Sequence, residues 1–393
     1  MNAVIQVTLR EWRWIRRDFL QVLLVVLAPL AFVTILSLAY SPKKVVGVPV
    51  LIVDQDHSAL SRALTSAILA NETFSLGGYA DSADEFPSLV ARDQAHLCLI
   101  FPRDLERDIK ARRGAKVLVM VDASNSLSGR IEILNAINLL GTFSVGAETR
   151  MVEAQAGISQ QPALNRALPI QEETRSWFNP GFTSNYLNFL ALGMLCIPVQ
   201  LAALTVSIGS GAYEYREWRS DPILPVTRNP WTIIAGKILA YVAIIYPVCM
   251  AVIYTPHIVF GAPMSGSQIT LAIVTLWFTA MLVTLGYALS CVLADPLFAT
   301  EICALITLPN FVLTGFTWPL FAMPKGLLVL SYGMPMYSYS FMYRKLSVMG
   351  ASIGDCWRQL AILSIWTLLV LLLARFGTGQ VLTALQNGEA ARA

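Results

Sequence analysis

The chain of 393 residues is long enough for two or three soluble domains of about 150 residues each. Hydrophobic residues make up 55% of it and charged residues 13%, and the mean hydropathy of +0.59 indicates a membrane protein. This composition excludes a disordered tail protein, a nucleic-acid-binding module and a small disulfide scaffold, and the net charge of +3 is too small to indicate an anionic partner.

The first predicted element is an amphipathic helix over residues 1–18. Ile5, Leu9 and Trp12 share one face of this helix, and an arginine-rich face lies beside it. The arginine-rich face holds Arg10, Arg13 and Arg17. This pattern is typical of a helix lying in the plane of the lipid headgroups, so we expect a cytoplasmic interfacial helix on the inner leaflet.

Six apolar stretches are long enough to cross a bilayer core about 30 Å thick, which requires about 20 residues of helix. They are residues 19–40, 186–211, 233–256, 270–294, 297–317 and 359–376. Ser37 and Ala39 resemble a signal-peptide cleavage site, but the apolar run before them exceeds the roughly 7 to 15 residues of a signal peptide. The first stretch is therefore predicted to be an uncleaved anchor.

Lysine and arginine in the short loops predict the orientation, because cytoplasmic loops are enriched in both. If the N-terminus is cytoplasmic, ten lysines and arginines lie on the inner side: Arg10, Arg13, Arg16, Arg17, Arg216, Arg219, Arg228, Lys237, Arg375 and Arg392. Four lie on the outer side: Lys325, Arg344, Lys345 and Arg358. Ten against four predicts two cytoplasmic termini, with residues 377–393 as a cytoplasmic tail and residues 318–358 as an outer segment.

Residues 41–182 are predicted to form one folded domain on the outer side, because charged residues become frequent there and strand and helix patterns alternate. Strands are expected at 48–53, 95–101 and 116–121, and helices at 58–69, 103–113 and 129–156. The predicted fold is therefore an α-helical integral membrane protein with six transmembrane helices and an α/β extracytoplasmic domain inserted between helices 1 and 2.

Two acidic segments, 54–58 and 122–126, follow predicted strands and resemble metal-binding or catalytic loops. Both also place Asp, Ser or Asn where a strand gives way to a helix, as N-capping requires, and we favour capping. Three histidines in the whole chain are too few for a convincing zinc site. Residues 236–237 (Gly-Lys) match the end of the phosphate-binding loop motif, but Trp231 stands where that motif requires its first glycine.

Glu301 lies about six residues inside the fifth apolar stretch, or roughly 9 Å along a helix. A carboxylate at that depth costs a few kcal/mol unless it is paired or hydrated. Either the helix lines a polar path, or Glu301 reaches the inner interface or pairs with an arginine of residues 213–230. The path is slightly favoured for the helix as a whole, since Thr307, Asn310 and Thr314 add polarity to it.

Segments spread over residues 1–376 resemble the permease subunit of ABC-2 type exporters, in the subgroup with a large domain after the first span. Residues 177–180 (Trp-Phe-Asn-Pro) are similar to the family's entry to the second span, and residues 260–267 to its outer loop before the fourth. The most specific similarity, to the outward segment before the last span, begins at residues 313–319 (Leu-Thr-Gly-Phe-Thr-Trp-Pro). Its motif residues are Gly315, Pro319, Met323, Pro324 and Pro335.

The resemblance implies a cytoplasmic coupling segment, 213–230, that meets a separate ABC ATPase. The residues matching this segment and the start of the third span are Arg216, Glu217, Arg219, Gly236 and Lys237. The chain departs from the family at residues 220–222 (Ser-Asp-Pro), where Gly-Thr is usual shortly after the Arg-Glu pair. ATP and Mg²⁺ are then expected on the partner ATPase, with no cofactor on this chain.

The resemblance also implies a second permease copy, identical or related, with spans two and five at the midline of the pair. Analogy with the subgroup also predicts a bacterial inner-membrane location, a periplasmic adaptor protein and an outer-membrane channel. The lipid bilayer is a further expected partner, and no nucleic acid is expected. Two other functions stay open: a mechanotransmission subunit that moves its outer domain without passing cargo, and, with less support, a membrane-embedded enzyme. The sequence leaves the cargo unidentified.

Overall fold

The computed structural model describes residues 2–17, 19–41, 45–168, 187–216 and 223–387. It divides into two compact units. The helical unit comprises Met1–Ser41 and Asn185–Ala393, and the α/β unit comprises Pro42–Ser184. The helical unit begins with helices α1 (Ala3–Arg17) and α2 (Phe19–Ala39).

The α/β unit contains a four-stranded mixed sheet in the order β2-β1-β3-β4. Its elements in chain order are β1 (Val48–Asp54), α3 (Ala59–Leu69), β2 (Phe74–Tyr79), α4 (Phe86–Val90), β3 (Leu97–Phe101), α5 (Leu105–Lys110), β4 (Leu118–Val121), α6 (Ser126–Ala156) and α7 (Gln160–Ala167). Strand β1 pairs in parallel with β2 and β3, and β4 runs antiparallel to β3. Side chains alternate across β1, so Val50 and Ile52 join one apolar cluster while Leu51 and Val53 join another.

The acidic segment after β1 caps the following helix, which confirms the capping interpretation there. Ser58 is the N-cap of α3, and its hydroxyl oxygen accepts a hydrogen bond from the Ser61 backbone N–H at 3.0 Å. Asp54 Oδ1 accepts from the backbone N–H groups of Asp56 and His57, each at 3.0 Å. After β4, Asp122 Oδ1 accepts from the Ser124 backbone N–H at 2.9 Å.

The helical unit resumes at Leu187 with one turn of π-helix (Leu187–Ala191). The helices that follow are α8 (Leu192–Met194), α9 (Cys196–Thr205), α10 (Ile208–Arg216), α11 (Pro230–Ile258), α12 (Gln268–Leu293), α13 (Pro296–Thr307), α14 (Asn310–Leu313), α15 (Lys325–Gly333), α16 (Pro335–Ser347) and α17 (Trp357–Gln386). Within the described residues, four helical stretches are long and apolar enough to cross a membrane. They are Leu187–Tyr215, Pro230–Ile258, Gln268–Leu293 and Ile353–Gln386, and they overlap the predicted spans at 186–211, 233–256, 270–294 and 359–376.

The expected fifth span, 297–317, is not one helix. Helix α13 has 12 residues and is about 18 Å long, well short of a bilayer core of about 30 Å. Pro309 has no N–H to continue the hydrogen-bond ladder, and α14 adds only 4 residues beyond it. Pro309 and Asn310, which interrupt the apolar run in the sequence, thus mark the break between α13 and α14.

Two more boundaries differ from the sequence predictions. Helix α17 continues to Gln386, so the predicted tail at 377–393 is helical for its first ten residues. The predicted outer segment, 318–358, contains α15 and α16, and α16 packs into the apolar core of the helical unit. Tyr339 of α16 stacks on Phe278 of α12, with ring centroids 4.1 Å apart.

Close packing of α12 against α9 depends on a glycine. A methyl group at Gly286 would overlap the carbonyl oxygen of Leu204, which is backbone and has little freedom to move. Ser207, just after α9, donates a hydrogen bond from its hydroxyl to the Val283 carbonyl at 2.8 Å. These contacts fix α12 in the centre of the helical unit.

Candidate functional site

Helix α1 buries one face against the rest of the helical unit. The buried side chains recur at helical spacing and comprise Val7, Thr8, Arg10, Glu11 and Trp14. The opposite face, with Ile5, Leu9 and Trp12, is exposed by 46%, 42% and 40% of each residue's surface. Among the described residues, the predicted apolar face is therefore partly exposed, which fits a helix lying on a lipid surface.

The buried face of α1 brings two charged residues into an ion cluster with α10 and α11. We call Arg10, Glu11, Glu214 and Lys237 the ion cluster; each is at most 3% exposed. Arg10 forms a bidentate pair with Glu214, with Nη1–Oε1 at 2.6 Å and Nη2–Oε2 at 2.9 Å. Lys237 Nζ lies 2.6 Å from Glu11 Oε1 and 2.8 Å from Glu214 Oε1. Two positive and two negative charges thus cancel within one buried group.

Hydrogen bonds complete the ion cluster. Glu11 Oε2 accepts from the hydroxyls of Ser210 at 3.0 Å and Tyr241 at 3.1 Å. Lys237 also donates to Ser210, to its hydroxyl oxygen at 2.9 Å and its carbonyl at 3.2 Å. Charges that are buried need this degree of satisfaction, since an unpaired one would cost several kcal/mol. The cluster therefore ties α1, α10 and α11 into one body.

Gly236 explains how α1 approaches α11 so closely. A Cβ atom at this position would lie 2.6 Å from Val7 Cβ and 2.9 Å from the Val4 carbonyl oxygen. The Gly236 carbonyl accepts a hydrogen bond from Thr8 Oγ1 at 3.0 Å, and Trp12 Nε1 donates to the Ala240 carbonyl at 3.2 Å. The glycine is thus a contact point between the two helices.

The structure separates the predicted coupling residues into two groups. Gly236 and Lys237 are buried, so neither is placed to touch a partner protein directly. Arg216 ends α10, and its side chain lies outside the described residues, as do Glu217 and Arg219. Sequence reasoning missed Glu11, Glu214 and the buried role of Arg10. The sequence held one sign of these roles: each residue is charged, yet Arg10 and Glu11 fall on the face of α1 that is buried, and Glu214 follows an apolar run.

A second polar group lies where α9 meets α13 and α14, and it contains two of the predicted path residues. Asn310 Nδ2 donates to Gln200 Oε1 at 3.1 Å and to the Ile306 carbonyl at 3.0 Å. Gln200 Nε2 reaches Thr307 Oγ1 at 3.4 Å. Gln200 and Asn310 are each 2% exposed and Thr307 is 3% exposed. These side chains therefore hold the broken helix against α9 rather than lining an open space, and Gln200 was not predicted.

Glu301 lies on a different face of α13, which the other described residues leave exposed. Leu297, Leu305 and Leu308 are 70%, 65% and 73% exposed, and Glu301, itself exposed, lies four residues from two of them. Glu301 takes part in no ion pair among the described residues. Thr314, the remaining predicted path residue, is 7% exposed and caps the C-terminus of α14.

The predicted outer motif marks turns and helix starts. Gly315 follows the C-cap of α14 and has a φ of +80°, a conformation that favours glycine. Pro324 directly precedes α15, and Pro335 occupies the first position of α16, where the missing N–H of proline has no cost. Pro319 precedes a short 3₁₀ turn that ends at Met323. These motif residues set the chain path between α14 and α16.

The α/β unit holds an unusual carboxyl group in α6. Glu132 is 2% exposed, and its Oε2 has no hydrogen-bond partner among the described residues. Burial raises the pKa of the Glu132 carboxyl above its ordinary value; His96 lowers it and Asp122 raises it, both to a smaller extent. His96 Nδ1 lies 3.5 Å from Asp122 Oδ2. Sequence patterns gave no sign of this group.

The four long apolar helices among the described residues define a multi-pass membrane protein. Residues 19–376 match the family model described as ABC-2 family transporter protein, and the chain belongs to that family. This confirms the resemblance drawn from the sequence. Members of this family are permease components of ABC transporters, which implies an ATPase partner and a dimeric arrangement.

Two curated relatives support the assignment. The chain is 23% identical over 376 residues to the probable multidrug ABC transporter permease YbhR of Escherichia coli strain K12, covering 92% of this chain and 95% of the relative. The protein of the same name from Escherichia coli O157:H7 matches with the same identity and coverage. The similarity therefore extends over both the helical unit and the α/β unit.

Proposed function

We propose that this chain is the permease subunit of an ABC exporter that forms the cargo path across the bacterial inner membrane. A separate cytoplasmic ATPase, carrying ATP and Mg²⁺, supplies the power stroke. Family membership supports this proposal, and so does the lack of a phosphate-binding loop in the sequence. In this arrangement both termini are cytoplasmic, six segments cross the membrane, and the α/β unit lies in the periplasm.

The observation that carries the proposal is the position of Glu301 on the uncovered apolar face of α13. Leucines at 65–73% exposure surround it, so in a single copy the carboxylate would face hydrocarbon. An ionised side chain inside a membrane costs a few kcal/mol and marks ion or substrate pathways. Two copies with their α13 faces opposed would cover the leucines and leave Glu301 at a hydrated path.

The ion cluster supports a coupling role for the cytoplasmic end of the helical unit. Segment 213–230 starts within α10, one residue before Glu214, and ends where α11 begins. Force applied by an ATPase at Arg216, Glu217 or Arg219 would reach α1 and α11 through Glu214 and Lys237. Gly236 and Lys237 thus act in coupling from within the protein, not at its surface.

The name of the relatives, which includes the word multidrug, supports a proposal for the cargo class. We infer that this chain exports drugs of varied structure, and that Glu301 favours those with a positive charge. A periplasmic adaptor protein and an outer-membrane channel would continue the path beyond the inner membrane. Both belong to the proposal by analogy with the family subgroup.

Drug accumulation in cells tests the proposed path. Cells that express the chain with its ATPase subunit should retain less of a cationic fluorescent dye such as ethidium than cells without it. Glu301→Gln keeps the side-chain shape and should reduce dye export, whereas Glu148→Gln, at an exposed site of the α/β unit, should export normally. Normal export by Glu301→Gln at equal membrane abundance would remove Glu301 from the path.

A further inference from the structure

Helix α17 is longer than a membrane span needs to be. Its 30 residues rise about 45 Å, whereas a bilayer core is about 30 Å thick. The predicted sixth span ends at residue 376, and so does the region that matches the family model. Residues 377–386 therefore form a helical extension beyond the span, which we call the α17 extension. In the proposed topology it lies in the cytoplasm.

The α17 extension buries one of its faces. The buried positions recur at the spacing of three and four residues that one side of a helix requires. They are Gly377, Thr378, Val381, Leu382 and Leu385. Gln380, Thr383 and Gln386, on the other side, are exposed. The apolar side chains of the extension thus pack within the helical unit.

The buried face of the α17 extension packs with the coupling segment, 213–230. Its three large apolar side chains share one buried cluster with Ile223 of that segment. Ile223 is 1% exposed, and its carbonyl oxygen accepts hydrogen bonds from the backbone N–H groups of Val226 at 2.9 Å and Thr227 at 3.2 Å. Ile223 is therefore the anchor of the turn 223–226 within the coupling segment.

A polar contact also links the α17 extension to the ion cluster. Thr378 Oγ1 and the hydroxyl of Tyr287, in α12, are hydrogen-bonded at 2.9 Å. Lys237 Nζ lies 5.5 Å from the centroid of the Tyr287 ring, within the range of a cation–π interaction. The α17 extension therefore contacts both the turn of the coupling segment and, through Tyr287, the cluster that holds Glu214.

We propose that the α17 extension positions the coupling segment for docking of the ATPase, with Leu382, Leu385 and Ile223 as the positioning residues. Each of the three is at most 7% exposed, so they act by fixing the turn 223–226 and not by touching the partner. The inference rests on the proposed function, because it takes residues 213–230 as the contact with the ATPase. A direct contact between the exposed face of the extension and the ATPase is the alternative.

Titration of the ATPase subunit against the purified full chain tests this proposal. ATP hydrolysis stimulated by the permease gives two quantities, the ATPase concentration at half-maximal stimulation and the maximal rate. Residues that act through packed neighbours change a coupling by about 2- to 30-fold. Leu382→Ala/Leu385→Ala should therefore raise the half-maximal concentration by a factor in that range and keep the maximal rate. Loss of folded protein alone would lower the maximal rate and leave the half-maximal concentration unchanged, which would contradict positioning.

Gln380→Ala/Thr383→Ala is the matched control, because both residues lie on the exposed face of the same extension. This variant should behave as wild type does. Leu382→Met/Leu385→Met keeps the apolar volume and should have a half-maximal concentration near that of wild type. A raised half-maximal concentration in the exposed-face control, with none in Leu382→Ala/Leu385→Ala, would overturn the proposal and assign a direct ATPase contact to the extension.

The single variant Leu385→Ala covers the case in which the double alanine variant does not fold, because Leu385 lies in the last turn of α17. Combined with Ile223→Ala, it should raise the half-maximal concentration by less than the product of the two single factors, since both act on one buried cluster. The full product, or no change in either single variant, would contradict the positioning role and leave the ATPase partnership intact. Absence of any stimulation by wild type would overturn this proposal together with the proposed function.

Discussion

Substitution of Lys237 by methionine tests whether the ion cluster holds α1 to the helical unit. Lys237 is 1% exposed, and its Nζ lies 2.6 Å from Glu11 Oε1 and 2.8 Å from Glu214 Oε1. Methionine keeps the length of the side chain but removes its charge. Two buried carboxylates would then face Arg10 alone. Removing one partner of a buried ion pair costs about 3–5 kcal/mol, because it leaves an uncompensated charge.

Thermal unfolding of the full chain in detergent, followed by tryptophan fluorescence, measures this loss. In a domain of 150–250 residues, about 1 kcal/mol shifts Tm by about 2–4 °C, so Lys237→Met should lower Tm by roughly 6–20 °C. Lys325→Met is the control, since Lys325 is exposed. A surface substitution of this kind changes stability by about 0.5 kcal/mol or less, so its Tm should move by no more than about 2 °C.

A double variant shows whether the effect is electrostatic. Glu11→Gln/Lys237→Met removes one charge of each sign and leaves the bidentate Arg10–Glu214 pair intact. Glutamine can still accept from Ser210 and Tyr241, so the double variant should be more stable than Lys237→Met alone. If Lys237→Met melts within about 2 °C of wild type, or the double variant loses the sum of the two single losses, the cluster does not hold α1 as described.

Three further predictions concern other parts of the chain. Asn310→Leu leaves Gln200 Oε1 buried without its donor, so the variant should lose about 1–3 kcal/mol in thermal unfolding, and adding Gln200→Leu should recover part of this loss. The pKa of Glu132 is raised in the folded state, so the unfolded state loses this proton at a lower pH than the folded state does. The free energy of unfolding of wild type should therefore fall as the pH rises from about 4. Glu132→Gln lacks this titration, so its Tm advantage over wild type should grow between pH 4 and pH 8; a constant difference would refute the assignment. A cysteine placed at Asp84 should react with an impermeant label from outside the cell, and one at Arg219 only from inside; labelling of Arg219 from outside would refute the six-span topology.

Regular hydrophobic patterns made much of the secondary structure predictable. The strand expected at 48–53 is β1 (Val48–Asp54), and the span expected at 270–294 is α12 (Gln268–Leu293). Strand β2 escaped prediction because its sequence, Phe74–Tyr79, is partly exposed and contains two glycines, so it has neither a buried run nor a clean alternation. Helix α16 escaped because its tyrosines and serines resemble a polar loop, although most of them are buried in the helical unit.

The candidate site was less predictable, because it depends on pairs that are distant in sequence. Arg10 and Glu214 are 204 residues apart, and no local pattern indicates that they form a bidentate pair. Asn310 was identified from its position in an apolar run, but its partner Gln200 lies 110 residues earlier. The sequence alone also assigned Lys237, at the start of the third span, a role in coupling without revealing its burial. Composition and motifs therefore identified the family, and the three-dimensional contacts supplied the cluster.

ATP-driven dye movement in proteoliposomes tests the central claim most directly. Vesicles that contain the purified chain and its ATPase subunit should transport a cationic dye when ATP and Mg²⁺ are added. Transport should stop when the chain is omitted or when the ATPase carries an inactivating substitution. ATP hydrolysis that the chain stimulates, with no dye crossing the bilayer, would contradict a cargo path through this permease and favour a subunit that only transmits movement to its α/β unit.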